Sequence, residues 1–382
     1  MAAIRLFYFV SFAALGLYLP YFPRWLGAHG VAGLELSVLA ATLPALGVLG
    51  PPLFGLLADW LGLRGGLLRV TCTGALAGFV ILALAARGGA HGAATLWPGL
   101  ALFAFFRSPT TTMADVLALE RAGAQGYARL RLWGSVGFML AALGFGQLGS
   151  VDAEWQLPGA IALGLAAVLV AAFALPARVP RPERPPLGAV GSLLRARDFQ
   201  LLLVTGLLSQ AGHSAYDLVF SLHLYALGLG GGTVGVAWTL GVVAEIALMA
   251  LGGRLFRRVP ARSLLAVGLA GASLRWGLVA VVRQPVLLLA LQPLHALSFA
   301  MVWLASVQWL KARVPAEALA TGQSLYVASI AVGSVLGMLL WGPLFAARGG
   351  GAVFACAAAA AALACGVALV PVAPQRARSS GR

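Results

Sequence analysis

Apolar residues occur along this chain in long runs that are separated by short polar segments. A helix needs about 20 apolar residues to cross the roughly 30 Å hydrocarbon core of a bilayer. By that measure the pattern predicts twelve membrane-spanning helices, and therefore an all-α membrane protein. The predicted spans are 4–26, 34–58, 67–86, 95–119, 131–149, 157–176, 199–227, 233–252, 263–282, 286–310, 319–346 and 350–371.

The longest polar interruption lies between the sixth and the seventh apolar run. Residues 177–198 contain five arginines and four prolines, a composition typical of a linker. The pattern therefore predicts an N-terminal six-helix bundle at 1–176, a cytoplasmic linker at 177–198 and a C-terminal six-helix bundle at 199–371. Residues 372–382 are predicted to form a basic cytoplasmic tail.

The composition agrees with a membrane protein, because 61% of the side chains are hydrophobic and 10% are charged, against about a quarter charged in soluble proteins. The formal net charge of +15 comes from basic residues that cluster in alternate loops. With both termini in the cytoplasm, 20 of the 26 basic residues lie on the cytoplasmic side, four lie outside and two lie within spans. This asymmetry indicates contact with anionic lipid and excludes nucleic acid as the partner.

Motifs for other chemistries are absent from the sequence. The three cysteines, Cys72, Cys356 and Cys365, stand alone inside apolar runs, without the spacing of a disulfide framework or a metal site. No nucleotide-binding loop and no serine–histidine–acid set stands out. We therefore expect a protein that is not an enzyme and that holds no cofactor or metal.

The main functional prediction concerns ionisable residues that lie inside the spans of the predicted C-terminal bundle. Glu245 lies at mid-depth in the eighth span, Arg275 at similar depth in the ninth, and His295 in the tenth, with Gln292 one turn away. Charged groups in a bilayer are costly, which makes them functional candidates. We interpret Glu245 as the proton carrier, Arg275 as the group that favours its ionised form, and His295 as an assisting residue. A buried ion pair that only fixes helix packing is the alternative.

The seventh span places His213 near its midpoint and Asp217 one turn further out, on the same helix face. A proton could pass between these side chains, so His213 is predicted to assist proton coupling and Asp217 to bind substrate. Ordinary packing of a mid-helix histidine is the alternative. Tyr216 and Trp276 are candidates to stack on a flat ligand, although core packing accounts for most such aromatic residues.

The fourth span contains Arg107 near its midpoint, with Asp115 two turns further along a slowly drifting stripe of the helix. We interpret Arg107 and Asp115, together with Gln292, as substrate-binding residues. The alternative is that Arg107 pairs with a carboxylate from another helix and holds the first bundle together.

A polar segment between the second and the third span carries a motif of four residues, Gly55, Asp59, Gly62 and Arg64. Their spacing resembles the signature between the second and the third helix of major facilitator transporters, so we predict that they form a gating loop. A degraded copy begins at Gly253, 198 residues after Gly55. Two copies indicate an internal repeat of two similar halves.

Further segments resemble the bacterial phenylpropionate permease group, which lies beside the sugar and nucleoside proton symporters of that superfamily. The matching segments are Arg131–Ser135, Leu240–Glu245, Leu255–Arg258, Leu274–Gly277, Gln292 with His295, Ser108–Pro109 with Asp115, and Gln210 with His213 and Tyr216. The resemblance implies a proton-driven carrier that imports a small organic solute, such as an aromatic carboxylate, by alternating access. We expect a monomer in the bacterial cytoplasmic membrane. Arg107 and Asp217 depart from the group's pattern, which leaves the substrate open.

Three alternatives remain at this stage. The chain is consistent with a proton symporter for a sugar or nucleoside, and with a proton-coupled exporter of drugs or metabolites. A non-transporting membrane scaffold or sensor with the same fold belongs to a different class. It would show no solute flux, and a change at Glu245 would then affect only its stability.

Overall fold

The computed structural model describes residues 1–61, 64–87, 92–175, 189–315 and 318–371. Eight helices in these ranges are long and apolar enough to cross a membrane. Two long helices are each divided by a glycine with a left-handed φ, Gly123 (φ 63°) and Gly349 (φ 73°). The described residues therefore form twelve long helical segments, α1–α12, and the predicted all-α fold with twelve spans is confirmed.

In the first half, α1 is Ala2–Ala28, α2 is Gly33–Leu61, α3 is Arg64–Arg87, α4 and α5 are the two parts of Ala93–Leu148 on either side of Gly123, and α6 is Gln156–Phe173. In the second half, α7 comprises Arg197–Ala215, a π-helical turn at Tyr216–Phe220 and Ser221–Ala226, α8 is Gly231–Leu251 and α9 is Ala261–Val281. The segments of α10 are Pro285–Ala290, a 3-10 turn at Gln292–Leu294, a π-helical stretch at Ala296–Met301 and Val302–Arg313. The last two, α11 and α12, are the parts of Leu319–Leu369 on either side of Gly349. Short helices at Ala189–Arg195 and Gly253–Arg258 precede α7 and follow α8.

The predicted domain boundaries fall largely outside the described residues. Residues 177–188 of the predicted linker and the whole predicted tail at 372–382 are not described. The boundaries at 176, 198 and 371 therefore stay predictions, whereas the six helices on each side of them are observed.

Equivalent helices pack in the same way in the two halves. In the first half, Gly137 of α5 lies so close to the carbonyl oxygen of Phe9 in α1 that an added methyl group would overlap it. In the second half, Gly333 of α11 lies in the same way against the carbonyl oxygen of Leu207 in α7. The absence of a side chain lets each pair of backbones approach closely. The internal repeat indicated by the sequence is thus visible in the packing.

An arginine at the start of the third helix of each half caps the end of the sixth. Arg69 in α3 donates to the carbonyl oxygens of Ala172 (3.5 Å), Phe173 (3.3 Å) and Leu175 (3.0 Å) at the end of α6. Arg262 in α9 donates to the carbonyl oxygens of Ala368 (2.6 Å) and Val370 at the end of α12. A helix C-terminus leaves carbonyl groups without partners and carries partial negative charge, so a guanidinium stabilises it.

Replacing Arg262 with glutamine is expected to lower the stability of the second half by about 1.5–3 kcal/mol, the usual contribution of hydrogen bonds to a charged group. The measurement is the thermal unfolding midpoint of the purified protein in detergent. Arg254 is exposed on the short helix after α8, so Arg254→Gln removes the same charge without a cap. Equal midpoints for the two variants would contradict the capping role of Arg262.

The two halves share one core at one end of the molecule and have separate cores at the other. We call the end at which α6 stops and α7 starts the linker end, and the opposite end the far end. The shared core includes Tyr21, Phe22, Leu36, Phe220, Trp238 and Trp341. At the linker end the first half has its own core, with Phe7, Leu68, Leu117 and Leu130, and the second half has another, with Phe199, Leu265, Trp309 and Leu310. The structure is therefore closed at the far end.

Close backbone contacts form the closure at the far end. The hydroxyl of Tyr21 in α1 donates to the carbonyl oxygen of Ala142 in α5 (2.6 Å) and lies 3.4 Å from that of Gly231 in α8. On the other side of the molecule, the backbone N–H of Gly342 in α11 donates to the hydroxyl of Ser37 in α2 (3.1 Å). Hydrogen bonds between the two halves, in the described part of the chain, all lie at this end.

Candidate functional site

A buried arginine in α9 organises the polar residues of the second half. Arg275 is completely buried. Its Nη2 donates to Oε1 of Gln292 (2.8 Å), and its Nη1 lies 3.0 Å from Oγ of Ser298 and 2.7 Å from Nδ1 of His295. Gln292 is itself held by a bond from its amide nitrogen to the carbonyl oxygen of Leu288 (2.7 Å). The direct hydrogen-bonding partners of this cation are therefore neutral.

His295 stands between Arg275 and Glu245. Because a guanidinium has only donors, Nδ1 of His295 must accept from Arg275, and the neutral ring then carries its proton on Nε2. Nε2 lies 2.7 Å from Oε1 of Glu245, so it is positioned to donate to the carboxylate. The Arg275–His295–Glu245 chain thus connects the cation to the acid through one imidazole whose tautomer the arginine selects.

Glycine in α8 allows this imidazole to reach Glu245. A methyl group added at Gly241 would lie 3.2 Å from Cδ2 of the His295 ring, tighter than most packing contacts. Glu245 follows one turn later on the same helix. The side chain of Glu245 is 13% exposed, whereas that of His295 is 8% exposed. Water therefore reaches the Glu245 end of the Arg275–His295–Glu245 chain most readily.

Aromatic rings enclose the guanidinium of Arg275. Its central carbon lies 4.5 Å from the ring centre of Tyr216 and 4.4 Å from that of Trp276, which are cation–π distances. Both rings are almost fully buried, and the hydroxyl of Tyr216 has no hydrogen-bonding partner among the described residues. His295 stacks on Phe299 with ring centres 5.5 Å apart. Tyr216 and Trp276, predicted to stack on substrate, contact Arg275 in this state, and their substrate role stays a prediction.

Two helices depart from α-geometry beside this cluster. The 3-10 turn at Gln292–Leu294 and the π-helical stretch at Ala296–Met301 lie immediately before and after His295. The π-helical turn at Tyr216–Phe220 begins three residues after His213. Pro293 removes a backbone donor from α10 and gave a signal for the first irregularity, whereas no breaker residue marks the one in α7. Such π-helical segments occur frequently at functional sites.

His213 and Asp217 lie next to the Arg275–His295–Glu245 chain but are not part of it. Nε2 of His213 is 3.9 Å from Oδ1 of Asp217, which is too long for a hydrogen bond. The rings of His213 and His295 are 5.4 Å apart, and Nδ1 of His213 has no partner among the described residues. A cavity of about 30 Å³ borders His213 and Ser298, a volume that accommodates about one or two water molecules.

In the first half, Asp115 forms an ion pair within the bundle. Nη1 of Arg131 in α5 lies 3.0 Å and 3.2 Å from its two carboxylate oxygens, and the hydroxyl of Tyr8 in α1 donates to it at 2.6 Å. These bonds join α1, α4 and α5. The contacts favour a structural role for Asp115, and its predicted role in substrate binding stays a prediction.

Arg107 lies apart from the second-half cluster. It borders a cavity of about 10 Å³ whose other walls come from the first half, namely Ser11, Cys72, Ala75, Thr110, Leu165 and Val168. Arg107 is partly exposed and not buried. The structure therefore brings Glu245, Arg275, His295 and Gln292 together, with His213 and Asp217 beside them, and places Arg107 and Asp115 elsewhere.

The predicted gating loop is only partly described. Gly55 lies within α2, where nothing is close to the position of a missing side chain. Gly62 and the side chains of Asp59 and Arg64 lie outside the described residues. Their gating role stays a prediction. Among the described side chains, no group of three histidines, cysteines or acids is arranged to hold a metal ion.

Comparison with known proteins places this fold in a transporter family. The model of the MFS_1 like family matches residues 1–356. The chain belongs to this family. It is accordingly a multi-pass membrane transporter of small solutes, within the major facilitator superfamily, and not an enzyme.

Relatives and solved structures agree with the family assignment. The chain is 28% identical over 347 residues to the probable 3-phenylpropionic acid transporter of Escherichia coli (strain K12), and the aligned region covers 87% of each protein. It is 30% identical over 283 residues to the maltose permease of Geobacillus stearothermophilus, which covers 71% of this chain and 68% of the permease. The crystal structure of the nucleoside transporter NupG matches 96% of this chain and 97% of NupG with a TM-score of 0.84 at 15% identity. At that identity the last comparison shows the fold alone.

Proposed function

We propose that this family member couples inward proton flow to the uptake of a small organic solute. It works as a monomer in the bacterial cytoplasmic membrane, with both termini in the cytoplasm and the far end facing outward. Glu245 carries the proton, His295 and Arg275 control it, and His213 and Asp217 lie beside the route of the solute. The observation that supports this proposal most strongly is the Arg275–His295–Glu245 chain, with contacts of 2.7 Å on both sides of the imidazole.

The net charge of the Arg275–His295–Glu245 chain depends on the protonation state of Glu245. When Glu245 is ionised, it balances Arg275 through the His295 ring, and the bond from Nε2 is charge-assisted. When Glu245 is protonated, Arg275 keeps its charge while its direct partners are all neutral. A buried cation without a counter-charge is unfavourable, so protonation increases the affinity of the cluster for an anionic group. Proton and anionic solute therefore bind cooperatively, and each raises the affinity for the other.

The closed far end fits a state that releases its cargo. Because the shared core blocks the far end, Glu245 exchanges its proton with water from the linker end, which lies in the cytoplasm in the proposed orientation. Opening of the far end and closure of the linker end would give the same carboxylate access to the outside. This is alternating access, in which the same carboxylate is exposed in turn to each side of the membrane.

An aromatic carboxylate is the solute class that the site supports best. The buried Arg275 supplies the cation for a carboxylate, and Phe299 and Trp303 present rings that are more than a third exposed. The relative matched over 87% of the chain is named for 3-phenylpropionic acid. Two neutral solute classes stay as alternatives, because other similar proteins are named for maltose and for nucleosides. In an exporter, the same cycle would run in the opposite direction.

The test is solute-induced proton movement in proteoliposomes that contain the purified protein and a pH-sensitive dye. We expect the external medium to become more alkaline when 3-phenylpropionate is added, and to stay unchanged with maltose or uridine. Alkalinisation with only one of the neutral solutes would replace the proposed substrate class and keep proton coupling. Uptake of labelled 3-phenylpropionate without any proton movement would contradict the coupling.

A further inference from the structure

A small cavity between α7 and α10 borders the polar cluster of the second half. Its volume is about 30 Å³, and its polar walls include Ser209, Gln210, His213 and Ser298. A cavity of this size holds about one or two water molecules, and the two oxygen atoms of a carboxylate can take the places of two waters. The cavity therefore suits the head group of a carboxylic acid, whereas a whole aromatic ring is too large for it.

Two buried side chains offer hydrogen bonds to a group in this cavity. His213 is almost fully buried, and its Nδ1 has no partner among the described residues, so this nitrogen is a free donor when it carries the ring proton. The hydroxyl of Ser298 accepts from Nη1 of Arg275 (3.0 Å), and its own proton points to the carbonyl oxygen of His295 over 3.3 Å. That distance is long for a hydroxyl donor, so a closer acceptor in the cavity would replace the carbonyl.

Arg275 supplies the charge that a carboxylate needs. Ser298 lines the cavity and bonds directly to Arg275, so a carboxylate that accepts from Ser298 is linked to the guanidinium through one hydroxyl. In a buried region such charges interact more strongly than in water. The direct partners of Arg275 are neutral. A carboxylate in the cavity therefore replaces the counter-charge that is lost when Glu245 takes up a proton.

Aromatic rings border the cavity on the side of the linker end. Because α7 starts at the linker end and α10 finishes there, Gly206 and Trp303 lie closer to that end than His213 and Ser298 do. Trp303 and Phe299 both line the cavity and are more than a third exposed. The donors at the deep end and the exposed rings nearer the open end follow the order of groups in a carboxylic acid with an aryl tail.

We propose that this cavity is the carboxylate subsite for the transported solute. Ser298 and His213 donate to the carboxylate, and the side-chain amide of Gln210 adds a further donor. The aryl tail lies against Phe299 and Trp303. This inference rests on the proposed uptake of an aromatic carboxylate, and it assigns the selection of acids over neutral molecules to the residues that line the cavity.

The test compares the affinity of the purified protein for 3-phenylpropionate and for its neutral analogue 3-phenyl-1-propanol, by isothermal titration calorimetry. In Ser298→Ala and in Gln210→Leu, the Kd for the acid should rise about tenfold or more, the usual contribution of a hydrogen bond to a charged group, and the Kd for the alcohol less than about threefold. Trp303→Leu should weaken both ligands by similar factors, because both use the ring contact. The matched control is Gln200→Leu, at an exposed glutamine of α7, which should leave both affinities unchanged.

The outcomes separate the subsite from the proposed function. Equal losses of affinity for the acid and the alcohol in Ser298→Ala and Gln210→Leu, or no loss for either, would overturn the subsite. If 3-phenylpropionate still caused alkalinisation in proteoliposomes, the proposed function would stand without it. Failure of the unsubstituted protein to bind any aromatic carboxylate would overturn both.

A brominated solute provides a direct measurement if a variant does not fold. Crystals of the unsubstituted protein grown with 3-(4-bromophenyl)propionate should show an anomalous peak beside Phe299 or Trp303, because the bromine marks the ring end of the molecule. A peak elsewhere, for example beside Arg107, would overturn the assignment.

Discussion

Proton-driven accumulation of solute is expected to disappear when Glu245 is replaced by glutamine. A gradient of about two pH units supports about 100-fold accumulation at one proton per solute, because each tenfold ratio corresponds to about 1.4 kcal/mol. We expect accumulation in Glu245→Gln proteoliposomes to fall to about the external concentration. The measurement is the uptake of labelled 3-phenylpropionate, or of the solute that the screen identifies, with and without the gradient.

The glutamine variant separates coupling from folding. A glutamine side chain has nearly the volume of glutamate, and its carbonyl oxygen still accepts a hydrogen bond from Nε2 of His295. It cannot carry a proton or balance Arg275. Exchange of labelled for unlabelled solute in the absence of a gradient should therefore persist, since it requires the conformational change but no net proton transfer.

The matched control is Glu154→Gln, at an exposed glutamate in the turn before α6. It removes the same charge outside the cluster and should accumulate solute normally. Uphill accumulation that survives in Glu245→Gln would remove Glu245 as the proton carrier and would direct attention to Asp217. Loss of exchange as well, with an unchanged unfolding midpoint, would show that Glu245 is required for the conformational change itself.

Uptake is also expected to fall at least about fivefold when Gly146 is replaced by alanine. Gly146 of α5 packs against α8 at the far end, where an added methyl carbon would lie 2.5 Å from the carbonyl oxygen of Gly231 and 2.5 Å from the hydroxyl of Tyr21. Backbone atoms must move apart to accept that carbon, and such overpacking costs about 1–3 kcal/mol. The cost applies to the state that is closed at the far end, so the balance between the two states shifts by about fivefold or more.

Gly144 offers a control on the same helix. An added methyl carbon there has nothing within 4 Å, so Gly144→Ala tests the general effect of alanine in α5 and should transport normally. Initial uptake rates and unfolding midpoints of the two variants are compared in parallel. Equal uptake by both variants would show that the close contact between α5 and α8 is not needed for closure.

The fold could be predicted because each apolar run is long enough to cross a bilayer and is bounded by polar residues. The spans predicted at 4–26 and 233–252, for example, are observed as Ala2–Ala28 and Gly231–Leu251. Hydrophobicity determines where a helix enters and leaves the bilayer, and these ends were predicted to within a few residues. It carries little information on helix contacts, which depend on glycines such as Gly137 and Gly333.

The sequence could predict which residues make up the candidate site, but not which of them are hydrogen-bonded to each other. Depth along the chain indicated that Glu245, Arg275 and His295 lie close together, but depth does not give the direction in which each side chain points. We expected Arg275 to act on Glu245 directly, and the structure places His295 between them. The irregular backbone beside His295 decides that direction, and only Pro293 gave any sequence signal for it.

In the first half, the sequence did not reveal the partner of Asp115 or the direction in which Arg107 points. Arg131 is the first residue of the predicted span 131–149, and its pairing with Asp115 was not predicted. Arg107 looked like a substrate-binding residue because it lies at mid-depth. Which bundle cavity it faces depends on the rotation of α4 about its axis, and a stripe that drifts with each turn does not fix that rotation.

The core that both halves share at the far end also acts as electrical insulation. The buried rings of Tyr21, Phe22, Phe220 and Trp238 belong to this core, and an apolar layer of this kind leaves no room for a continuous file of water along which protons could hop. A membrane potential exerts about 2.3 kcal/mol on each charge per 100 mV, so even a rare gap would let the gradient leak away. In the proposed transport cycle, the dense packing at this end therefore preserves the proton gradient as well as the order of the steps.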